Sequence, residues 1–279
     1  MKIKIFFNKF FICIGIISAV FTIVGLIWAN EITTIINQYQ DYKTYLLVLI
    51  VIICIIYAFY SIKKKKKISL KISENKNINV YYGDLFQSNK IIVIPVNDYF
   101  DTIVDDKIVS SNTLHGKFIQ RYFSNDEKQL KSLIDKSLSK ISPIEINKTR
   151  ARGNKKRYEL GTVAIVEVDE QIFYLLAFTK FNNNNRATIT KSQYLQVITI
   201  LFEFIEQNSQ GFKVNLPLLG AGHSGVELSK QKLLDFLLFS IILSNKLTLI
   251  NGLDIILHKN IKDEIDLNKI EYYYNITKE

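Results

Sequence analysis

The chain is poor in the groups that staple or metallate a fold: two cysteines, three histidines and three prolines in 279 residues. Cys13 and Cys54 both lie in uncharged apolar segments, so they form no disulfide framework, and with so few histidines they leave no zinc site. Acidic residues are scarce at the N-terminus. Residues 1–67 hold nine Lys/Arg against two acids, whereas residues 68–279 hold 27 against 24. The net charge of +10 is therefore no signature of nucleic-acid binding. Lys2, Lys4 and Lys9 precede the first apolar segment and the run 63–67 follows the second, a placement typical of membrane flanks. The remaining basic cluster, 148–157, has no interleaved aromatics of the kind on which single strands stack. It reads as a solvated loop, with a phosphate-binding arm as the alternative, and nucleic acid is not an expected partner.

Residues 10–29 and 45–62 carry no charge, and each run is close to the ~20 residues that cross a bilayer core. A cleaved signal peptide is the alternative for the first, but its apolar run exceeds the usual ~7–15 residues and no A-x-A site follows. Residues 30–44 hold one Lys against Glu31 and Asp41, so the positive-inside rule places the tip outside and both termini in the cytoplasm. The expected organisation is a two-span hairpin, 1–67, followed by a cytoplasmic domain, 68–279. Neither span carries an ionisable side chain, which leaves two readings open: a passive anchor, or a pore built from several copies.

After Lys67 the polar stretch "ISLKISENKN" reads as a short linker. Strands are expected at "NVYYG", "IIVIPV", "TVAIVEV", "IFYLLAF", "FKVNLPL" and "LTLINGLDIIL", with a tight turn at Asp169 and Glu170. Helices are expected at 114–123, 127–140, 190–207, 230–244 and 261–273. Alternating strands and helices with one hairpin give a three-layer α/β domain, whose ligands bind beyond the carboxyl ends of strands.

"LPLLGAGHSG", 216–225, spaces Gly220, Gly222 and Gly225 as G-x-G-x-x-G. The motif comes after four strands rather than the first, Pro217 interrupts its strand, and Asn245 stands where an acid would hold a ribose, which argues against a Rossmann NAD site. The loop still suits an anion, because glycines let backbone N–H groups approach closely and a helix starts near Ser229. A structural turn with no ligand is the alternative. His223 reads as a loop residue or phosphate contact.

"YYGDLFQSNKIIVIPVN" followed by "NLPLLGAGHSG" resembles the two halves of a macro domain, the ADP-ribose-binding fold, over roughly residues 78–258. The resemblance implies a mixed sheet with helices on both faces. It implies that Asp84, with Leu85 beside it, accepts from the adenine amino group, that Asn97 lies near the distal ribose, and that Leu219, Gly220, Ala221, Gly222, His223, Ser224 and Gly225 wrap the diphosphate. Asp84 also fits an ordinary helix cap. Hydrolytic members carry Asn-x-x-Asn and a glycine triplet. Here Phe100 replaces the second Asn and the triplet is missing. "SSNTLHG" stands instead, offering Ser110, Ser111, Thr113, Leu114, His115 and Gly116 at a helix start, a site suited to a diphosphate or polar head group, with an ordinary N-cap as the alternative for any one Ser or Thr. Arg186, with Ala187 and Thr188, ends "FTKFNNNNRAT" at the same rim and reads as an anion contact; a flexible loop is the alternative for the four asparagines.

An apolar hairpin followed by such a domain resembles the membrane effectors of bacterial type II Thoeris anti-phage systems. That resemblance implies a multi-pass protein of the inner membrane, no cofactor and no catalytic residue. A TIR-domain partner would supply an ADP-ribose-derived signal, a histidine–ADP-ribose conjugate. Binding would drive homo-oligomerisation and membrane disruption, with cell death or arrest. Two alternatives stay open: an ADP-ribosyl hydrolase with His115 or Asp98 as base, and a tethered reader that leaves the bilayer sealed.

Overall fold

The structure, a computed structural model, describes residues 2–28, 42–61, 63–124, 126–182, 186–222, 226–244 and 247–277. The chain divides into two compact units, Met1–Lys65 and Lys66–Glu279.

In the first unit α1 (Lys2–Ile27) and α2 (Lys43–Ser61) pack antiparallel, with the Phe6 and Phe59 rings 5.0 Å apart. Cys54 and Ala58 are buried, while Phe11, Ile16, Ile23, Leu47 and Ile56 point outward. Apolar surface on this scale marks an interaction or membrane surface. The segment Phe6–Ile27 is 22 residues long and apolar enough to cross a bilayer, spanning ~33 Å at ~1.5 Å per residue. Thr44–Tyr60 is apolar but shorter. One helix of full spanning length therefore stands among the described residues where two were expected. It begins at Phe6 rather than residue 10 and takes in Lys9. Ala29, the hairpin tip 30–41 and Ile62 lie outside the described residues.

The second unit is built on an eight-stranded mixed sheet. Its strands are β1 (Lys67–Ser73), β2 (Lys76–Tyr82), β3 (Ile91–Asn97), β6 (Val163–Val168), β7 (Gln171–Phe181), β8 (Ala187–Thr188), β9 (Val214–Pro217) and β10 (Leu249–Leu257). A separate ribbon pairs β4 (Glu145–Ile146) with β5 (Lys156–Arg157). The sheet order is β1-β2-β10-β9-β3-β7-β6, with β8 on β7. The inner neighbours are parallel, and the β1–β2, β6–β7 and β7–β8 pairs are antiparallel.

Period-two alternation explains why the central strands read as continuous apolar runs. Ile91 and Val93 of β3, with Tyr174, Leu176 and Phe178 of β7, face α5 (Lys191–Asn208), α6 (Lys230–Leu243) and α7 (Leu267–Thr277). Ile92, Ile94, Phe173 and Leu175 face α3 (Leu114–Tyr122) and α4 (Glu127–Ser137). Each fully buried aliphatic or phenylalanine side chain contributes roughly 1.5–3 kcal/mol, so both faces are anchored and the domain has three layers.

Two expectations are corrected. The stretch taken for a linker contains edge strand β1: Ile68 and Leu70 are buried while Lys67, Ser69 and Lys71 face out. That alternation defines a half-buried strand, and its outward lysines suit an edge. The last helix starts at Leu267; Lys259–Ile261 forms a separate 3-10 turn.

Candidate functional site

The sheet itself opens the site. β3 pairs with β9 only at Ile91↔Val214 and Ile92↔Asn215, whereas its pairing with β7 continues to Asn97. Asn215 Nδ2 holds the closed end by donating to the carbonyls of Asn89 and Ile91 at 2.7 and 2.9 Å. Beyond Asn215 the two strands separate. The resulting cleft, about 1400 Å³, lies at the carboxyl ends of β2, β3, β7, β9 and β10.

At the β2 end, Asp84 Oδ1 accepts from Phe86 N–H at 3.0 Å, capping a 3-10 turn, Leu85–Gln87, and the residue is exposed. Leu85 and Phe86 are buried beneath it. The cap and ligand readings of Asp84 are therefore compatible, since one carboxylate oxygen serves the cap.

At the β3 end, Asn97 is 3% exposed and its amide is spent on its own loop. Oδ1 accepts from the Tyr99 and Asp101 N–H groups at 3.1 and 3.3 Å, and Nδ2 donates to Asp101 Oδ2 at 3.0 Å. The turn forces Phe100, fully buried, to φ +51°, a left-handed conformation that costs an L-residue roughly 1–2 kcal/mol. Asn154 offsets this by donating to the carbonyls of Phe100 and Tyr99 at 2.6 and 3.2 Å. Asp101 is the hub: Arg150 grips it bidentately at 2.8 Å, and Asn154 N–H adds a further bond at 2.8 Å. Asn97 thus reaches the cleft wall as the keystone of a buried network.

Asp98 does not line the cleft. Its Oδ2 accepts from Arg157 Nε at 2.6 Å and its Oδ1 from Phe181 N–H at 3.0 Å. Burial raises its pKa, opposed by the bonds from Arg157 and Phe181. These pairs correct the reading of 148–157 as a solvated loop. Arg150 and Arg157 turn inward onto buried carboxylates, while Arg152 and the lysines at 148, 155 and 156 stay exposed.

In the "SSNTLHG" segment, Thr113 caps α3 by accepting from Gly116 N–H at 3.0 Å and donates to the Ser110 carbonyl at 2.7 Å. Ser110, Thr113, Leu114 and His115 line the cleft. Ser111 does not; its N–H and hydroxyl both bond Asp106 Oδ1, at 2.8 and 2.9 Å. Gly116 faces away as well, and a Cβ there would sit 2.2 Å from the Ser110 carbonyl oxygen. Its role is to let the helix approach the Ser110 backbone. His115 is 7% exposed and its pKa is pushed down to about 4 by burial. It is a neutral wall group at pH 7.

Arg186 is exposed at the rim, its N–H held by Asn182 Oδ1 at 2.9 Å. Leu219, Gly220, Ala221 and Gly222 line the opposite wall. Gly220 has φ +81° and packs against Tyr194 and Leu233, while Gly222 faces open space. His223, Ser224 and Gly225 lie outside the described residues. Sequence reasoning missed Lys107, Lys117 and Arg121, and missed His258 and Lys259 just past β10, all of which line the cleft. The last two were findable, because ligands bind beyond strand carboxyl ends.

The family model for the macro domain of Thoeris protein ThsA matches residues 78–258. The Thoeris protein ThsA of Bacillus amyloliquefaciens (strain Y2) is 32% identical over 204 residues, covering 70% of this chain and 67% of that protein. The Oceanobacillus iheyensis macrodomain with ADP superimposes at a TM-score of 0.52 and 11% identity, covering 75% of this chain and 97% of that one. A glycine-to-valine mutant of that macrodomain with ADPR gives a TM-score of 0.52 at 12% identity, covering 75% and 99%. The solved structures speak for the fold, which is the macro-domain fold.

Proposed function

Because the chain belongs to the ThsA macro-domain family of Thoeris proteins, we propose that it is a membrane-anchored sensor of anti-phage defence whose cleft binds an ADP-ribose-derived signal. A partner TIR-domain enzyme makes that signal, a histidine–ADP-ribose conjugate, and the occupied form assembles and breaches the bilayer. In this reading residues 1–67 are an inner-membrane hairpin, and 68–279 and both termini are cytoplasmic.

The carrying observation is the split between β3 and β9, which sets a carboxylate at one end of a long cleft and a glycine loop along its wall. The outward oxygen of Asp84 would accept from the adenine amino group above Leu85. The backbone at 219–222 would take the diphosphate with Ser110 and Thr113 opposite, and Arg186 would add positive charge at the rim. Asn97 would act by shaping the distal-ribose wall.

The sites favour binding over turnover. His115 is buried and neutral, and both Asp98 oxygens are engaged outside the cleft, so neither candidate base is poised to take a proton. Converting such binding into assembly from 1:99 to 99:1 requires about 5.5 kcal/mol of differential affinity. A few charge-assisted bonds formed only in the assembled state, at roughly 1.5–3 kcal/mol each, supply it.

Native mass spectrometry of the full chain in detergent, with ADP-ribose and histidine–ADP-ribose, tests this. Intact bound ligand with a rise in subunit number is expected. Cleaved ligand would make the protein a hydrolase, and no bound ligand would undo the reading. Dye release from vesicles carrying the protein then separates disruption from tethered reading.

A further inference from the structure

A second cavity, about 370 Å³, adjoins the cleft, and Lys107 and Ile108 line both. Sheet order fixes which end it adjoins. Asp84 follows β2, Asn97 ends β3 and Phe181 ends β7, and from β2 to β7 the sheet runs β2-β10-β9-β3-β7. Four interstrand steps of roughly 4.8 Å carry the cleft about 19 Å along this direction. Tyr99 and Asn182, just past the ends of β3 and β7, line the second cavity. A ligand whose adenine sits at Asp84 therefore points its other end there.

Three cations, Lys107, Arg150 and Arg152, line this space. Arg150 stacks over Tyr99 at 4.1 Å, but its guanidinium is committed to Asp101. Among the described residues Asp105 is the one carboxylate in the wall, and it is turned inward. Its Oδ1 accepts from the Lys107 and Ile108 N–H groups at 3.0 and 2.7 Å. Its Oδ2 lies 3.1 Å from Arg152 Nη1, too poorly aligned for a hydrogen bond, and is sealed from solvent. Asp105 thus anchors Arg152, whose side chain is 62% exposed, at the cavity mouth beside exposed Lys107. Thr149 lines the same wall.

We propose that this cavity is an anion subsite that receives a carboxylate or phosphate carried on the distal ribose of the ligand. The protein then selects ADP-ribose derivatives with an acidic substituent at that end. The inference rests on the ligand orientation proposed above, with adenine at Asp84.

Two matched probe pairs test it by calorimetry on the full chain in detergent at low salt. ADP-ribose 1″-phosphate against ADP-ribose asks about phosphate. Nicotinic acid adenine dinucleotide against NAD changes a carboxamide to a carboxylate and asks about that source. The acidic member of at least one pair is expected to bind about tenfold tighter, the factor one charge-assisted contact supplies. Arg152→Ala should erase that preference and leave ADP-ribose affinity unchanged, and Arg152→Glu should invert it. Equal affinities within both pairs, or a preference that survives Arg152→Ala, would overturn the subsite while sparing the cleft. Failure of ADP-ribose itself to bind would overturn the cleft assignment, and the subsite with it.

Discussion

Arg150 and Asp101 form a fully formed fork, Nη1 to Oδ1 and Nη2 to Oδ2, both at 2.8 Å, with Asp101 side chain at 0% exposure and Arg150 at 9%. The pair clamps the turn that carries Asn97 and the strained Phe100. Removing one partner leaves a buried charge, so Arg150→Ala should cost about 3–5 kcal/mol, far more than an exposed ion pair is worth. The double change Arg150→Met with Asp101→Asn should cost less than Arg150→Ala alone. Calorimetric unfolding of the full chain checks both, and a loss under 1 kcal/mol for Arg150→Ala would mean that the pair does not hold the turn.

Gly116 and Gly222 separate a packing glycine from an open one. At Gly116 a Cβ would meet the Ser110 carbonyl at 2.2 Å, and backbone cannot yield as a side-chain tip does. Gly116→Ala should therefore destabilise by about 1–3 kcal/mol and displace the Ser110 rim. At Gly222 nothing lies within 4 Å, so Gly222→Ala should leave stability unchanged. Any affinity that Gly222→Ala loses for ADP-ribose then reports close approach of ligand to that backbone. Equal melting points for the two variants would contradict the packing argument.

His115 gives the domain a pH dependence of known sign. Burial holds its folded pKa at about 4 against 6.5 for the free group. Both states are neutral at pH 7. As pH falls through 6.5 the unfolded chain takes up a proton that the folded chain refuses until about pH 4. Stability is thus complete above 6.5 and is lost on acidification, by roughly 2 kcal/mol between pH 7 and pH 5. His115→Gln should flatten that slope when melting is followed at both values. A slope unchanged by the substitution would place the titration elsewhere.

What could be read from the sequence follows from how far apart the determining residues lie. The runs at β3 and β7 announce themselves because both faces of those strands are buried, and the glycine loop is legible within ten residues. β1 escaped notice because its lysines and serines masked a two-residue alternation. Arg150 and Asp101 lie 49 residues apart, so no local pattern pairs them, and Arg150 sat inside a run that looked solvated. Ser111 and Gly116 were expected among the ligand contacts because they belong to a donor-rich helix start. The helix start shares its tasks among adjacent residues, however: Thr113 caps, Ser111 binds Asp106, and Gly116 admits the Ser110 backbone.

Asp84 allows the sharpest test of which way the ligand lies. Its Oδ1 is engaged by Phe86 N–H, and Asn offers the same acceptor there, so Asp84→Asn should keep the cap and change stability by under about 0.5 kcal/mol. The outward atom, however, changes from acceptor to donor. Adenine presents an amino donor at that edge and hypoxanthine a carbonyl acceptor. Wild-type protein should therefore prefer ADP-ribose to its inosine counterpart, and Asp84→Asn should reverse the order, each mismatch costing about tenfold or more because a buried polar group is left unpaired. Titrating both nucleotides into both proteins makes a two-by-two comparison in which folding defects cancel. A preference that stays with ADP-ribose after the substitution would move the adenine away from Asp84 and reverse the direction in which the cleft is filled.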